Sequence, residues 1–207
     1  MSYPTTNIYI LRHAQTESNV KNIFGGDPLL TELGKKQAKS VVDNLPLEKI
    51  SAIYSSQLQR AIDTANIIKA ETPHIIEIVT RENLRERHFG NLEDKEILQD
   101  HKDIHNKVLV KSSEMMWDVH LTDDDETFRE SHSRFVRELE RIAANHPGET
   151  ILIVSHGSVM RGLLVSLQYA DFGQLRSGTI KNTGIIRLDY CNGELSLKEV
   201  VGVKLRG

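Results

Sequence analysis

Asn7-Ile8-Tyr9-Ile10-Leu11-Arg12-His13-Ala14-Gln15-Thr16 is the stretch that decides the fold. An apolar, β-branched run ends abruptly in Arg-His, then in small and polar residues. The same arrangement returns as Ile151-Leu152-Ile153-Val154-Ser155-His156-Gly157. Each run reads as a strand buried on both faces, as in a parallel sheet covered by helices. Each delivers a histidine at its carboxyl end, the edge where open α/β sheets bind ligands. An arginine fork suits an anion's oxygens. A histidine beside it can hold the anion or, when neutral, attack it.

Working outward, strands and helices alternate. Thr31 caps a helix expected to run to about Leu45, with Leu33, Ala38, Val41, Val42 and Leu45 facing inward. Pro46 stops it. A short strand follows at Ile50–Tyr54, a helix at about Gln57–Ala70 and a third strand at Ile75–Val79. Thr127–Asn145 reads as an amphipathic helix, and the strand Thr150–Ser155 leads into a helix from about Ser158 to Leu167. Ile185–Tyr190 and Leu195–Val203 read as a closing pair joined at Asn192-Gly193. The expected architecture is a three-layer α/β/α fold with a mostly parallel central sheet and one antiparallel strand. Residues 1–207 are read as a single domain. The charged stretch 91–126 is a small cap excursion within it, expected to cover one edge of the sheet.

A chain of 207 residues buries a sizeable core without staples. Its net charge of −3 argues against a nucleic-acid partner, so an anion site must be a local positive pocket. The single cysteine, Cys191, cannot form an internal disulfide. No apolar run is long enough to span a bilayer, and Met1–Thr6 lacks a signal-peptide core. A cytoplasmic protein is expected, with no membrane partner; a homodimer remains open.

Three further segments repeat the theme of the opening strand. In Ser55-Ser56-Gln57-Leu58-Gln59-Arg60-Ala61, a serine-rich turn leads into a helix start, which attracts anions through free N–H groups. Arg60 would point back over that end. Ser155-His156-Gly157-Ser158 makes the same strand-to-helix transition, with Gly157 permitting a tight turn. In Leu84-Arg85-Glu86-Arg87-His88-Phe89-Gly90, a carboxylate follows the third strand. Facing a bound phosphate ester, Glu86 should have a raised pKa and be able to protonate a leaving oxygen. Singly, these are an ordinary strand-end histidine, a solvated arginine and a surface glutamate. Jointly, five such residues would each sit at the carboxyl side of a strand.

These blocks resemble the histidine phosphatase superfamily in its phosphoglycerate-mutase-like branch. Its Arg-His-Gly motif stands here as Arg12-His13-Ala14-Gln15-Thr16, followed by Asn19. Its Leu-Thr-x-x-Gly matches Leu30, Thr31 and Gly34. Its Ser-x-Leu-x-Arg-Ala-x-x-Thr-Ala matches Ser56, Leu58, Arg60, Ala61, Thr64 and Ala65. Leu84, Glu86 and Gly90, then Glu126, Thr127 and Arg134, then Ser155-His156-Gly157 complete the order.

The resemblance implies that His13 attacks phosphorus and forms a phosphohistidine. It implies that Arg12, Arg60 and His156 bind the phosphoryl oxygens. Glu86 protonates the leaving oxygen and then serves as base for water. Asn19 and the Gly25-Gly26 backbone line the pocket mouth and bind substrate. No metal and no cofactor are expected. Two positions depart from the pattern. Ala14 replaces a glycine, which is tolerated if its φ is negative, and Gly25 stands where mutases often carry threonine.

The expected function is a metal-independent phosphatase acting on a small phosphorylated metabolite, a phosphomonoester. The alternative is a cofactor-dependent phosphoglycerate mutase, suggested by Glu86-Arg87-His88-Phe89-Gly90. Against it, residues 91–126 contain Lys95, Lys102, Lys107 and Lys111 but no arginine, and end in Asp123-Asp124-Asp125-Glu126. A non-catalytic phosphate-binding scaffold is the third reading, although no catalytic residue is missing. His101 and His105 stand four apart, as zinc ligands on a helix would, but lack a third ligand. Met115-Met116-Trp117 reads as core or lid packing.

Overall fold

A computed structural model describes residues 4–96 and 112–206 of the chain. The opening run forms β1 (Thr6–Arg12), inside a six-stranded sheet ordered β3-β2-β4-β1-β5-β6. The other strands are β2 (Ile50–Ser56), β3 (Ile78–Arg81), β4 (Thr150–Ser155), β5 (Ile180–Cys191) and β6 (Glu194–Val203). β1 pairs with β4, β4 with β2 and β2 with β3, all parallel. β5 runs antiparallel to both β1 and β6, so it is the one reversed strand of this sheet. The helices are α1 (Glu17–Lys21), α2 (Glu32–Ser40), α3 (Gln59–Lys69), α4 (Phe128–Ala144) and α5 (Gly157–Ser166) among the described residues.

Side chains alternate across a strand, and here the alternation builds two cores. Ile8, Ile10, Ile151 and Ile153 pack with Phe135, Leu139 and Ile142 of α4 and with Val159, Met160 and Leu163 of α5. Leu11, Leu152 and Val154 face the other way, against Val41, Leu45 and Ala61, Ala65 and Ile68 of α3. A sheet apolar on both faces therefore carries helices on both, which gives the three layers. Truncating a fully buried member such as Phe135 or Leu139 to alanine costs about 3–5 kcal/mol.

Two sequence expectations shift. Thr31 does cap α2, its side chain accepting from the Gly34 amide, but the α-helix ends at Ser40 and tightens into a 3-10 turn over Val41–Asn44. Leu33, expected inward, is 53% exposed. Ala38, Val41 and Leu45 are buried as expected, and Gly34 takes the inward place expected of Leu33. Gly34 lies so close to the Gln15 backbone that a Cβ there would meet the Gln15 carbonyl oxygen at 2.1 Å. The strand expected at 75–79 begins at Ile78, where pairing with Ile53 begins. Ile75 is fully exposed, and Ile76 is buried outside the ladder.

Residues 112–126 pack over the start of α4. Met116, Val119, Phe128 and Phe172 form a small apolar cluster with Trp117 and Leu121. The Trp117 ring meets His132 and Phe172 edge-on, each at 5.1 Å. The Met115-Met116-Trp117 run thus takes the packing role, with Met115 itself exposed. His101, His105, Lys102, Lys107 and Lys111 lie outside the described residues. No helix among the described residues is long and apolar enough to cross a membrane.

Candidate active site

The sheet register builds the centre of the site. Arg12 of β1 is opposite Ser155 of β4, and the His13 amide donates to the Ser155 carbonyl at 2.9 Å. The next residue on each strand is a histidine, so the rings of His13 and His156 lie side by side, centroids 5.2 Å apart. Both are buried.

His13 Nδ1 lies 2.8 Å from the Ala14 carbonyl. A carbonyl only accepts, so the network assigns the ring proton to Nδ1 and leaves a lone pair on Nε2. Arg60, in the first turn of α3, donates its Nε to that lone pair at 3.3 Å. Burial, then the Arg60 and Arg12 charges, hold His13 well below the usual histidine range. Burial and Arg60 do the same to His156. Near neutral pH both rings are uncharged.

Arg12 is anchored through Nη1 to the Ile180 carbonyl at 2.5 Å, while its buried Nε has no partner. Gly157 leaves that Nε room, since a Cβ there would approach it to 3.3 Å. Both nitrogens of His156 are buried without a partner. Buried polar groups are normally paired, and these three nitrogens, side by side at the sheet edge, are not.

Glu86 reaches the site from the loop after β3. Its carboxylate accepts from Ser158 N at 3.0 Å and Val159 N at 3.3 Å, in the first turn of α5, and from Arg87 N at 2.8 Å. A carboxylate is favoured at such a helix start. The start of α3, expected to be open to an anion, is also taken: Asp27 accepts from Gln59 N at 2.8 Å and Arg60 N at 3.4 Å. Neither helix leaves these amides open to a ligand.

Asn19 sits in the first turn of α1, in a capping box with Thr16. Its Oδ1 accepts from Asn182 Nδ2 at 3.0 Å, and the same amide group donates to the His13 carbonyl at 3.0 Å. A cavity of about 420 Å³ opens beside them, lined by Arg12, Asn19, Asn22, Ser177, Lys181 and Asn182 among others. Gly25 and Gly26 are left-handed and fall outside that lining. The Gly26 carbonyl accepts from Arg60 Nη1 instead.

Ala14 keeps a negative φ and is fully buried, its amide donating to Thr64 Oγ1 at 3.0 Å. Sequence reasoning misses Asp27 and Asn182. Asp27 is legible only as an acid after two glycines, and nothing local marks Asn182. Among the described residues no group of three or more His, Cys, Asp and Glu is arranged to hold a metal ion.

The sequence profile of the histidine phosphatase superfamily (branch 1) matches residues 8–201. The chain belongs to this superfamily. Among its superfamily relatives is phosphoglycerate mutase-like protein 4 of Arabidopsis thaliana, 35% identical over 159 residues, covering 75% of this chain and 68% of that protein. The metal-independent phosphoserine phosphatase of the same plant is 31% identical over 182 residues, covering 84% of this chain and 74% of that protein. The crystal structure of phosphoglycerate mutase from Bacillus anthracis superposes with a TM-score of 0.83. It covers 98% of this chain and 95% of that one at 22% identity, which speaks for the fold alone.

Proposed function

We propose that this superfamily member is a metal-independent phosphatase of the cytoplasm. It hydrolyses a small phosphomonoester through a phosphohistidine on His13. One observation carries the reading: the Nε2 lone pair of His13 faces Arg60, beside the unpartnered Arg12 Nε and His156 nitrogens. That set suits a phosphoryl group, whose oxygens accept from Arg12, Arg60 and His156 and whose developing charge they stabilise. Asn19 belongs to the same binding wall.

His13 Nε2 attacks phosphorus. The N–P bond forms as the bond to the leaving oxygen breaks, and that oxygen takes the proton of Glu86. Water then attacks the phosphohistidine, gives a proton to Glu86 and releases phosphate.

The mutase reading is favoured by the Glu86–Gly90 string and by the phosphoglycerate mutase-like relative. Supporting the phosphatase is the absence of arginine between residues 91 and 126. Arg87 is committed elsewhere, pairing with Asp125 at 2.6 Å and donating to the Val119 carbonyl at 3.3 Å. Within the acidic run Asp125 pairs with Arg87 and Glu126 with Arg134, and Asp124 accepts from the Asn91 amide.

The test measures phosphate release from an aryl phosphate in the presence of a chelator, with wild type and His13→Ala. Release by wild type and none by the variant is expected. Equal rates sink the nucleophile assignment. Efficient isomerisation of phosphoglycerate with a bisphosphoglycerate primer would favour the mutase. Failure on a broad phosphomonoester panel would favour a binding scaffold.

A further inference from the structure

Arg134 of α4 uses every N–H it has on one turn of chain and one carboxylate. Nη1 donates to the carbonyls of Asn83 and Arg85, each at 2.9 Å, and Nη2 to the carbonyl of Glu86 at 2.8 Å. Its remaining donors reach both oxygens of Glu126, at 2.6 and 2.8 Å. Glu126, just before the Thr127 cap of α4, in turn accepts from His88 N at 3.1 Å and Arg85 Nη1 at 3.3 Å. Burial raises the Glu126 pKa, but Arg134, the His88 amide and the Arg85 charge together outweigh it, and the carboxylate stays ionised. The loop from 83 to 88 is therefore gripped on both sides of Glu86.

Neither Arg134 nor Glu126 reaches His13 through any hydrogen bond of the site. From this geometry we infer that the Arg134–Glu126 pair is a positioning device for Glu86, fixing where its proton is given and taken. The inference rests on the phosphatase reading. A rigid fork that satisfies three carbonyls fixes the backbone of Glu86, and the α5 amides then fix its side chain. A lysine keeps the charge of Arg134 but cannot make the fork. Small displacements at a proton donor cost rate because the donor must lie within hydrogen-bond reach of the leaving oxygen.

The experiment compares kcat/KM for two esters. An alkyl phosphate needs a proton on its leaving oxygen, and dinitrophenyl phosphate does not. General acid catalysis is worth about 10²–10⁴-fold, so Arg134→Lys and Glu126→Gln should each lose about ten-fold or more on the alkyl ester and under about two-fold on the dinitrophenyl ester. Placed in a Glu86→Gln background, Arg134→Lys should cost almost nothing further on the alkyl ester, because its route to the chemistry is already gone.

Both substitutions keep most of the side-chain volume, and thermal melts confirm folding. Equal losses on the two esters, or an undiminished loss in the Glu86→Gln background, overturn the positioning role. A wild-type protein that hydrolyses neither ester overturns the phosphatase reading itself, and the positioning role with it.

Discussion

Arg60 Nε stands 3.3 Å from His13 Nε2, so the lone pair proposed to attack phosphorus rests against a cation. Burial, then the Arg60 charge, keeps the imidazole uncharged, and the pairing aims it before substrate arrives. When a phosphoryl group enters, the same guanidinium can turn its donors to the oxygens. Lysine has neither the fork nor the reach to hold the Gly26 carbonyl as well. Arg60→Lys should lower kcat/KM on an aryl phosphate by about 10²–10³-fold, the scale of losing one well-placed oxyanion donor. Initial rates decide it: an Arg60→Lys enzyme as fast as wild type would contradict this role.

The two central histidines make stability depend on pH in a defined direction. Burial, then Arg60, lowers both below the ordinary value of 6.5. As pH falls through about 6.5 the unfolded chain takes up protons that the native state refuses, so stability drops until the native values are reached. Each histidine contributes up to about 1.4 kcal/mol per pH unit in that window. Carboxylates held low, such as Glu126, act in a separate window below 4.5. Chemical unfolding of the phosphate-free protein between neutrality and pH 5 should show the slope, and His156→Asn should flatten it. The acid limb of kcat/KM should likewise lie below 6.5; a limb at the ordinary histidine value would count against a neutral His13.

Asp27 caps α3 and contacts Arg60 at 3.5 Å. Asp27→Ala should cost about 1 kcal/mol of stability, the usual value of a lost helix cap. Activity should fall as well, since the Arg60 guanidinium loses one of its supports. Urea unfolding and kcat/KM on the same preparations test both. Lost stability with full activity would separate the cap from the site.

Ala14 occupies a position where the family pattern has glycine. Its φ is negative and its methyl group packs near Leu30 and Ala38, so glycine offers no conformational benefit here. Ala14→Gly should destabilise the protein by about 0.5–1 kcal/mol through chain entropy, with more from lost packing. Phosphatase rates should hardly change. An Ala14→Gly enzyme that is more active and equally stable, read by rate and by melting, would show that the methyl group crowds the site.

Much of this was legible because it follows from short-range pattern. The runs ending in His13 and His156 announce buried parallel strands, and their side-by-side pairing turns two distant motifs into one site. Glu86 and Arg60 were readable as charged residues just after strands. What was not legible depends on how close separate segments come. Leu33 reads as core yet is exposed, and the inward place beside the Gln15 backbone is held by Gly34, where no side chain fits. The start of α3 looked free, yet a carboxylate 32 residues earlier fills it. The Asn182 bridge between Asn19 and the His13 carbonyl joins parts of the chain that no local spacing connects.

The register that sets Arg12 opposite Ser155 has a consequence for redesign. His13 and His156 are held by main-chain ladder bonds of β1 and β4, which substitutions outside the sheet can leave intact. The cavity beside them is walled by Asn22 and Ser177 from loops and by Lys181 at the start of β5. A library randomised at those three positions would explore new leaving groups while the nucleophile stays where the strands put it.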